Sequence, residues 1–497
     1  MWFAIILFII LLCLLGYWET RKPKNFPPGP KWLPIFGSAL TVFNLRKRKG
    51  DLPLMADELT KEYGPVLGLK IGVDKIVVVC SHSAIREFLQ SDDLDGRPTG
   101  LFFEIRTFGS RQGLMMTDES LWHEQRRFIV RHLREFGFGR RNMSAMIEDE
   151  AQLMVDHFKS KIIKTKNYGI LQMDKVGGIH ILNTLWMMLA GTRYSPEDTE
   201  VNKLQANLNE LFKNADMVGA LFSQFPLLRF IAPDFSGYNL YMKSHEPLWQ
   251  FIIEEVENHR KTFVSEQPRD LIDIYLQMLN EEDRPDTFTN EQLLSVCLDL
   301  FMAGSETTTK SFGFAFTYLL LNPDVQKKAQ EEIDAVVGRA RLPTLHDRPR
   351  MPYMEGVVYE AIRMFIGRGL GVPHRALKDT TLCGYFIPKN TMVIPNFYGI
   401  LRGSEFSWND PDEFRPDRFI KDGKIILLPE NFIPFGLGKR RCMGETLAKA
   451  NLFLFISALL QNFTFSVPPG CSPPSVVCNP GVTPGPKPFK ALFKLRD

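Results

Sequence analysis

Cysteine is scarce in this sequence: seven in 497 residues, an odd number, scattered at positions 13, 80, 297, 383, 442, 471 and 478. That pattern argues against a disulfide framework, and the pair Cys471 and Cys478 could bridge only in an oxidising compartment. Charge of one sign is lacking too. A formal net charge of +3 gives no polyanion-binding field, so no nucleic-acid partner is expected. After residue 50 there is no long linker, low-complexity run or internal repeat. The length alone would suggest about three domains, but without such breaks one large body is the simpler reading. Hydrophobic content of 44% and charged content of 24% are ordinary globular values.

What is present begins with Trp2 to Trp18, a nearly unbroken apolar run of about 17 residues, just long enough to span a bilayer. No basic residue precedes it, while Arg21, Lys22 and Lys24 follow, which puts the bulk of the chain on the cytosolic side. A cleaved signal peptide would need a basic start and a small-residue cleavage site, and neither is there. The expected organisation is an anchor helix over residues 1–20, a proline-rich hinge and start of the body over 21–50, and the main body over 51–497. The hinge segment Asn25-Phe-Pro-Pro-Gly-Pro30 is too stiff to be helical and would hold the body at a fixed angle to the membrane.

Val66–Ile71 and Lys75–Cys80, separated by Gly72-Val-Asp74, predict a β-hairpin. Beyond it helical patterns dominate with short strands between them, so the fold class is mainly α with a small β-sheet region. Arg97 to Leu114 is apolar and aromatic without periodicity and reads as a loop over a pocket. Leu204 to Tyr241 carries Phe222, Phe225, Pro226, Phe230, Pro233 and Phe235, a composition suited to an apolar lid.

The most informative cysteine is Cys442, in the loop Phe432-Ile-Pro-Phe-Gly-Leu-Gly-Lys-Arg-Arg-Cys442-Met-Gly444. Gly436, Gly438 and Gly444 permit positive φ and close backbone approach, so the loop can lie flat against a large planar group. Helix formers from Glu445 to Leu460 place Cys442 beside a helix N-terminus, which favours thiolate over thiol. Cys442 is therefore a candidate metal ligand; the plainer alternative is an inert cysteine buried in a turn.

Thr289-Asn-Glu-Gln292 is a potential capping box, and apolar residues continue almost all round to Leu321, predicting a buried helix roughly 48 Å long. Inside it, Ala303-Gly304-Ser-Glu306-Thr307-Thr308 is costly: Gly304 loses about 1 kcal/mol against alanine, and Thr307 can bond back to the Ala303 carbonyl and bend the helix. Elsewhere, Trp122 and Arg126 share a helical face at i and i+4 and can clasp one carboxylate, or simply form a surface helix with an arginine stem over the indole. Glu360 and Arg363 share a face at i and i+3, with Pro416-Asp-Arg418-Phe419 about fifty residues on. Arg127, Arg131, Arg134, Arg140 and Arg141, with Lys439, Arg440 and Arg441, can make a cationic surface or an ordinary solvated face.

The spacing Phe435-x-x-Gly438-x-Arg440-x-Cys442-x-Gly444 resembles the haem-binding signature of the cytochrome P450 family, in which one cysteine thiolate is the axial ligand of the haem iron. The resemblance implies the cytochrome P450 fold, haem b as cofactor, and insertion of one atom of O2 into a lipophilic substrate. NADPH electrons would arrive through NADPH–cytochrome P450 reductase, with cytochrome b5 as a second partner at the cationic surface. By the same resemblance Cys442 holds the iron, Phe435, Gly438 and Arg440 shape its loop, and Trp122 and Arg126 hold a haem propionate. His374 would join them there, with Arg375 as the alternative. Glu306 and Thr307 match the family's acid–alcohol pair on the oxygen-activating helix, and Ala303, Leu370 and Val372 would face the substrate. Glu360, Arg363 and Arg418 resemble its buried structural cluster. The segment near the N-terminus resembles the anchor and proline hinge of microsomal members, which implies the endoplasmic reticulum membrane.

A narrower resemblance, to the arthropod microsomal group that includes methyl farnesoate epoxidase, rests on Arg97-Pro, Arg134-Glu-Phe-Gly-Phe-Gly139, Leu298-Asp-Leu-Phe-Met-Ala-Gly304 and Gly444-Glu-Thr-Leu-Ala-Lys-Ala-Asn451. It implies epoxidation of a sesquiterpenoid ester in juvenile hormone biosynthesis. Other lipophilic substrates (an ecdysteroid, a fatty acid, a xenobiotic), an isomerase or dehydratase activity, a non-catalytic haem sensor and a haem-free membrane scaffold are the competing expectations.

Overall fold

The computed structural model describes residues 16, 19–135, 139, 141–162, 168–173, 176–403 and 408–496. The expected anchor, Trp2 to Trp18, and Phe136 to Phe138 and Arg140 of the basic segment, lie outside the described residues. Among those described, no helix is long and apolar enough to cross a membrane.

The first half of the chain runs α1 (Ala39–Lys49), α2 (Leu52–Tyr63), β1 (Val66–Ile71), β2 (Asp74–Val79), α3 (His82–Gln90), α4 (Leu101–Ile105), α5 (Glu119–Glu135), α6 (Arg141–Ile162), β3 (Tyr168–Gln172), α7 (Gly178–Ala190), α8 (Thr199–Lys213), α9 (Leu221–Gln224), α10 (Leu228–Ile231) and α11 (Tyr238–Thr262). Then follow α12 (Leu271–Leu279), α13 (Asn290–Leu321), α14 (Pro323–Val336), α15 (Pro352–Ile366), β4 (His374–Arg375), β5 (Thr380–Leu382), β6 (Tyr385–Ile387), β7 (Met392–Pro395) and α16 (Phe397–Leu401). The chain ends with β8 (Ile420–Lys421), β9 (Lys424–Ile425), α17 (Glu445–Asn462), β10 (Phe463–Ser466), β11 (Cys478–Asn479), β12 (Gly485–Pro486) and β13 (Lys490–Leu495).

The molecule is mainly α, as expected. The β1–β2 hairpin forms with Val66 opposite Val79, and β7 and β4 extend it into a sheet of order β1-β2-β7-β4. A second sheet, β10-β13-β3, closes the far side. Two expectations change. Arg97–Leu114 is not all loop, because Leu101–Ile105 closes a helical turn around the buried Phe102, Phe103 and Ile105. The sequence from Thr380 to Ile387 also reads as one strand-like run, yet it folds into a hairpin, because Cys383 and Gly384 take positive φ.

Helix α13 forms the spine. Its residues are buried almost all round, against α7, α11, α15 and α17. Thr289 caps it by accepting from the Gln292 N–H, but the reciprocal half of the capping box is missing. The Gln292 amide instead holds both backbone groups of Gly113. Gly304 has a packing reason: an added Cβ would lie 2.3 Å from Leu185 Cδ2 of α7. The proline hinge is also fixed by packing, since the Gly68 N–H of β1 donates to Pro28 O at 2.7 Å and a Cβ on Gly29 would lie 2.2 Å from Gly68 O.

Candidate active site

The Cys442 loop is closed by the Cys442 N–H donating to Phe435 O at 2.9 Å. Gly436 and Gly438 take φ values of +72° and +67°. A Cβ on Gly438 would lie 2.2 Å from Leu89 O, so the close approach of α3 also demands glycine there. Gly444 departs from expectation. Its φ is −87°, and it serves as the N-cap of α17; its bareness keeps side-chain atoms away from the sulfur, 3.9 Å from where a Cβ would be.

Cys442 is accessible to solvent yet closely surrounded by its own loop and the start of α17. Burial pushes its thiol up, while the Gly444 and Glu445 amides and the Arg126 charge pull it down without cancelling the rise. The helix-terminus amides thus act in the expected direction, towards thiolate, against the effect of burial, and a bound metal cation would add to them.

Beside this loop the structure gathers charge. Arg440 lies over the Trp122 ring at 3.7 Å and Arg126 at 5.4 Å, and the Arg126 Nη2 donates to Arg441 O at 2.7 Å, tying α5 to the loop. Arg440 is thus turned inward, bonded to Asp95, and does not belong to the cationic surface proposed from its neighbours. Lys439 and Arg441 do lie outside, but each pairs with a carboxylate, Asp92 and Glu445.

His374 and Arg375 divide the alternatives between them. The Arg375 guanidinium is spent on Arg97 O, Asn390 and Asp118. His374 is buried with Nδ1 2.8 Å from Leu94 O; with its proton there, Nε2 can donate to an anion only as imidazolium.

Arg97 was overlooked as a site residue. It is fully packed among these groups with its Nη1 on Pro373 O, and both its Nε and the Arg440 Nη1 are buried without a hydrogen-bond partner. Burial, then the Arg440 charge, drives Arg97 well below the ordinary arginine range, and burial lowers Arg440 to about 10. Five arginines (97, 111, 126, 375, 440) face two aspartates (95, 118). Orphaned buried donors and excess positive charge call for an anion. The sequence signal would have been a basic residue before a proline whose partners lie hundreds of residues away.

On α13, Thr307 Oγ1 donates to Ala303 O at 2.7 Å, as expected, and Ser305, Thr309 and Ser311 bond back likewise. The helix nonetheless runs unbroken, so the hydroxyls bond along it rather than interrupting its ladder. Glu306 is buried, and burial raises its carboxyl, opposed by Lys310 alone. Ala303, Leu370 and Val372 are half-buried among buried neighbours.

Glu360, Arg363 and Arg418 do meet. Arg363 grips Glu360 with two bonds of 2.7 and 2.8 Å, and Arg418 Nε adds a third at 2.9 Å. Both Glu360 and Arg363 are fully buried, and Arg363 also satisfies Leu401, Pro411 and Glu413 carbonyls. Every donor is answered, which is the condition for a buried ion pair to be tolerated.

The model of a single family, described as Cytochrome P450, matches residues 27–493. The chain belongs to the cytochrome P450 family. Among its relatives, the Drosophila melanogaster protein named "Probable cytochrome P450 303a1" is 46% identical over 99% of this chain and 98% of its own. Farnesoate epoxidase of Bombyx mori is 36% identical over 98% of each chain, and cytochrome P450 2J3 of Rattus norvegicus is 34% identical over 93% of this chain and 89% of its own. This P450 is accordingly a monooxygenase of the oxidoreductase class. Its family uses haem with a cysteine thiolate ligand and NADPH-derived electrons delivered by a reductase. The residues described above fit that cofactor: the orphaned Arg97 and Arg440 donors suit its two propionates, and the Cys442 thiol, exposed to solvent in the adjoining loop, suits its iron.

Proposed function

We propose that this P450 epoxidises a lipophilic sesquiterpenoid of the farnesoate type, with Cys442 as the axial thiolate. The observation that carries the site is the meeting of a cysteine at a helix N-terminus with orphaned buried guanidinium groups across Trp122. Bound haem would supply oxygen activation. The protein's share is to hold its carboxylates with Trp122, Arg126, His374, Arg440 and Arg97, and to position Phe435 and Gly438 behind the sulfur. Glu306 delivers protons and Thr307 orients them, its oxygen free to accept while its own proton rests on Ala303 O. Ala303, Leu370 and Val372 bound the substrate, and Glu360, Arg363 and Arg418 brace the fold behind the loop.

The substrate assignment rests on the relative named farnesoate epoxidase, 36% identical. The more similar relative, at 46%, bears no substrate in its name, which keeps another lipophilic substrate as the second reading. The expected setting is the endoplasmic reticulum membrane, with residues 1–20 as anchor, 21–50 as hinge and start of the body, and 51–497 as the cytosolic catalytic body. Supporting it, apolar side chains of the N-terminal region (Ile35, Phe36, Phe43) and of the 227–240 segment (Phe230, Ile231, Phe235) are exposed, and Phe43 and Phe235 line a cavity of about 260 Å³ between α1 and α11. Reductase is the electron donor, and cytochrome b5 is proposed to share its docking face.

Incubating the purified protein with reductase, NADPH and methyl farnesoate, then analysing products by mass, tests the substrate; a product heavier by one oxygen atom is expected. Turnover of other lipids but not of farnesoates would shift the assignment to the second reading. Cys442→Ser is expected to abolish the thiolate-type carbon monoxide spectrum, and a retained spectrum would remove Cys442 from the iron.

A further inference from the structure

Lys310 stands four residues after Glu306 on α13, and both side chains are buried, at 12% and 7% exposure. Its ammonium lies 3.3 Å from Glu306 Oε2, as an ion pair rather than an aligned hydrogen bond, for that oxygen has no hydrogen-bond partner. The same ammonium donates to Asn209 Oδ1 of α8. Its stem runs under Gly485 of β12, where a Cβ would meet Lys310 Cδ at 2.9 Å and Nζ at 3.3 Å.

At 100° per residue, Lys310 points between the directions of Glu306 and Ala303, with Thr307 on the other side of Ala303. A buried, incompletely bonded ion pair is not a stability device: apolar residues of the same volume serve as well or better. No other charge reaches Glu306. On the packed elements, Leu185 of α7, Asn209 of α8 and Gly485 of β12 are neutral, and Lys213 and Glu210 of α8 pair with each other in solvent.

We propose that Lys310 is a positioning residue that fixes the charge and direction of the Glu306 carboxylate, and that Asn209 makes this setting depend on how α8 is seated against α13. The inference rests on the proposed role of Glu306 in proton delivery. With α8 seated, Asn209 holds the ammonium beside Glu306, where its charge opposes the effect of burial on the carboxyl. If α8 lifts, the ammonium loses its neutral acceptor and is held less firmly beside Glu306, so burial is opposed less. The C-terminal end of α8 is itself held, since the Val482 N–H donates to Phe212 O at 2.8 Å. The seating of α8 is therefore linked to the turn at Val482, while the segment that follows α8 reaches α1 through Asp216 and Arg46.

The test is infrared titration of the protonated-carboxyl band in the resting full-length protein, with Glu306→Gln used to assign the band. Lys310→Met is expected to move the Glu306 midpoint upward by at least about one pH unit, a tenfold change in proton affinity. Asn209→Leu, a substitution on α8 that leaves α13 intact, is expected to move it in the same direction by less, because a lysine without its acceptor is less readily charged. A midpoint unchanged in Lys310→Met overturns the proposal. A shift in Lys310→Met with none in Asn209→Leu overturns the link to α8. Product formed per NADPH in Glu306→Gln is read separately: an unchanged yield removes Glu306 from proton delivery while leaving the titration result to stand on its own.

Discussion

Arginines of one cluster differ in what they leave unanswered. Arg375 is fully bonded within the protein, whereas Arg97 and Arg440 each carry a buried nitrogen with no partner. Arg97→Met is therefore expected to loosen the cofactor, seen as faster haem transfer to an excess of a haem-scavenging protein. Arg375→Met should leave that rate near wild type and lower the denaturation midpoint instead, since it removes a partner of buried Asp118. Equal acceleration by both variants would contradict this division. At Gly438 conformation and contact agree: alanine there would cost about 1–2 kcal/mol for the left-handed backbone alone before its clash with Leu89 O, so Gly438→Ala is expected to purify without haem.

Between elements, the loop after α4 is latched to α13. Asp299 Oδ2 accepts from the Leu114 and Met115 N–H groups at 2.6 and 2.7 Å, and its Oδ1 faces the Arg106 guanidinium at 2.6 Å. Both side chains are buried, so Asp299→Ala strands a charge and should cost about 3–5 kcal/mol in urea unfolding. The double variant Asp299→Leu, Arg106→Met should recover much of that loss.

A second junction, between α11 and α12, contains His259. Burial works against its charge, but hydrogen bonds to Asp270 and to Glu255 O, with the charges of both acids, raise its pKa to about 9. A group raised in the folded state stabilises below its unfolded pKa and loses that contribution as pH climbs through the folded one. The stability gap between wild type and His259→Gln should thus be full below about pH 6.5, decline through pH 9 and vanish above it. A gap independent of pH would mean that His259 contributes packing alone.

For the whole molecule, Leu227, Phe230, Ile231 and Phe235 are each more than 70% exposed. Such apolar exposure, with that of Phe36 and Phe43, is what the proposed membrane setting would use. Protein lacking residues 1–20 is expected to float with phospholipid vesicles. Changing Leu227, Phe230 and Ile231 to aspartate in that truncated form should reduce flotation by tenfold or more. Flotation unaffected by the three substitutions would place the contact elsewhere.

The sequence by itself determined the mainly helical class, the β1–β2 hairpin and the long helix from Asn290 to Leu321, because these follow from local periodicity and capping. It also determined the candidate site wherever the chemistry is compressed into one stretch, as around Cys442 and from Ala303 to Thr308. Only the tertiary structure decided matters that depend on residues far apart. It showed that Arg440 turns inward onto Trp122, that Arg97 joins it, and that Arg375 is occupied by Asp118. It gave Gln292 to Gly113 rather than to its own cap, and brought Asn209 to Lys310 from 101 residues away. Local spacing fixes which groups share a face, but the charge and partners of a buried group are set by everything folded around it.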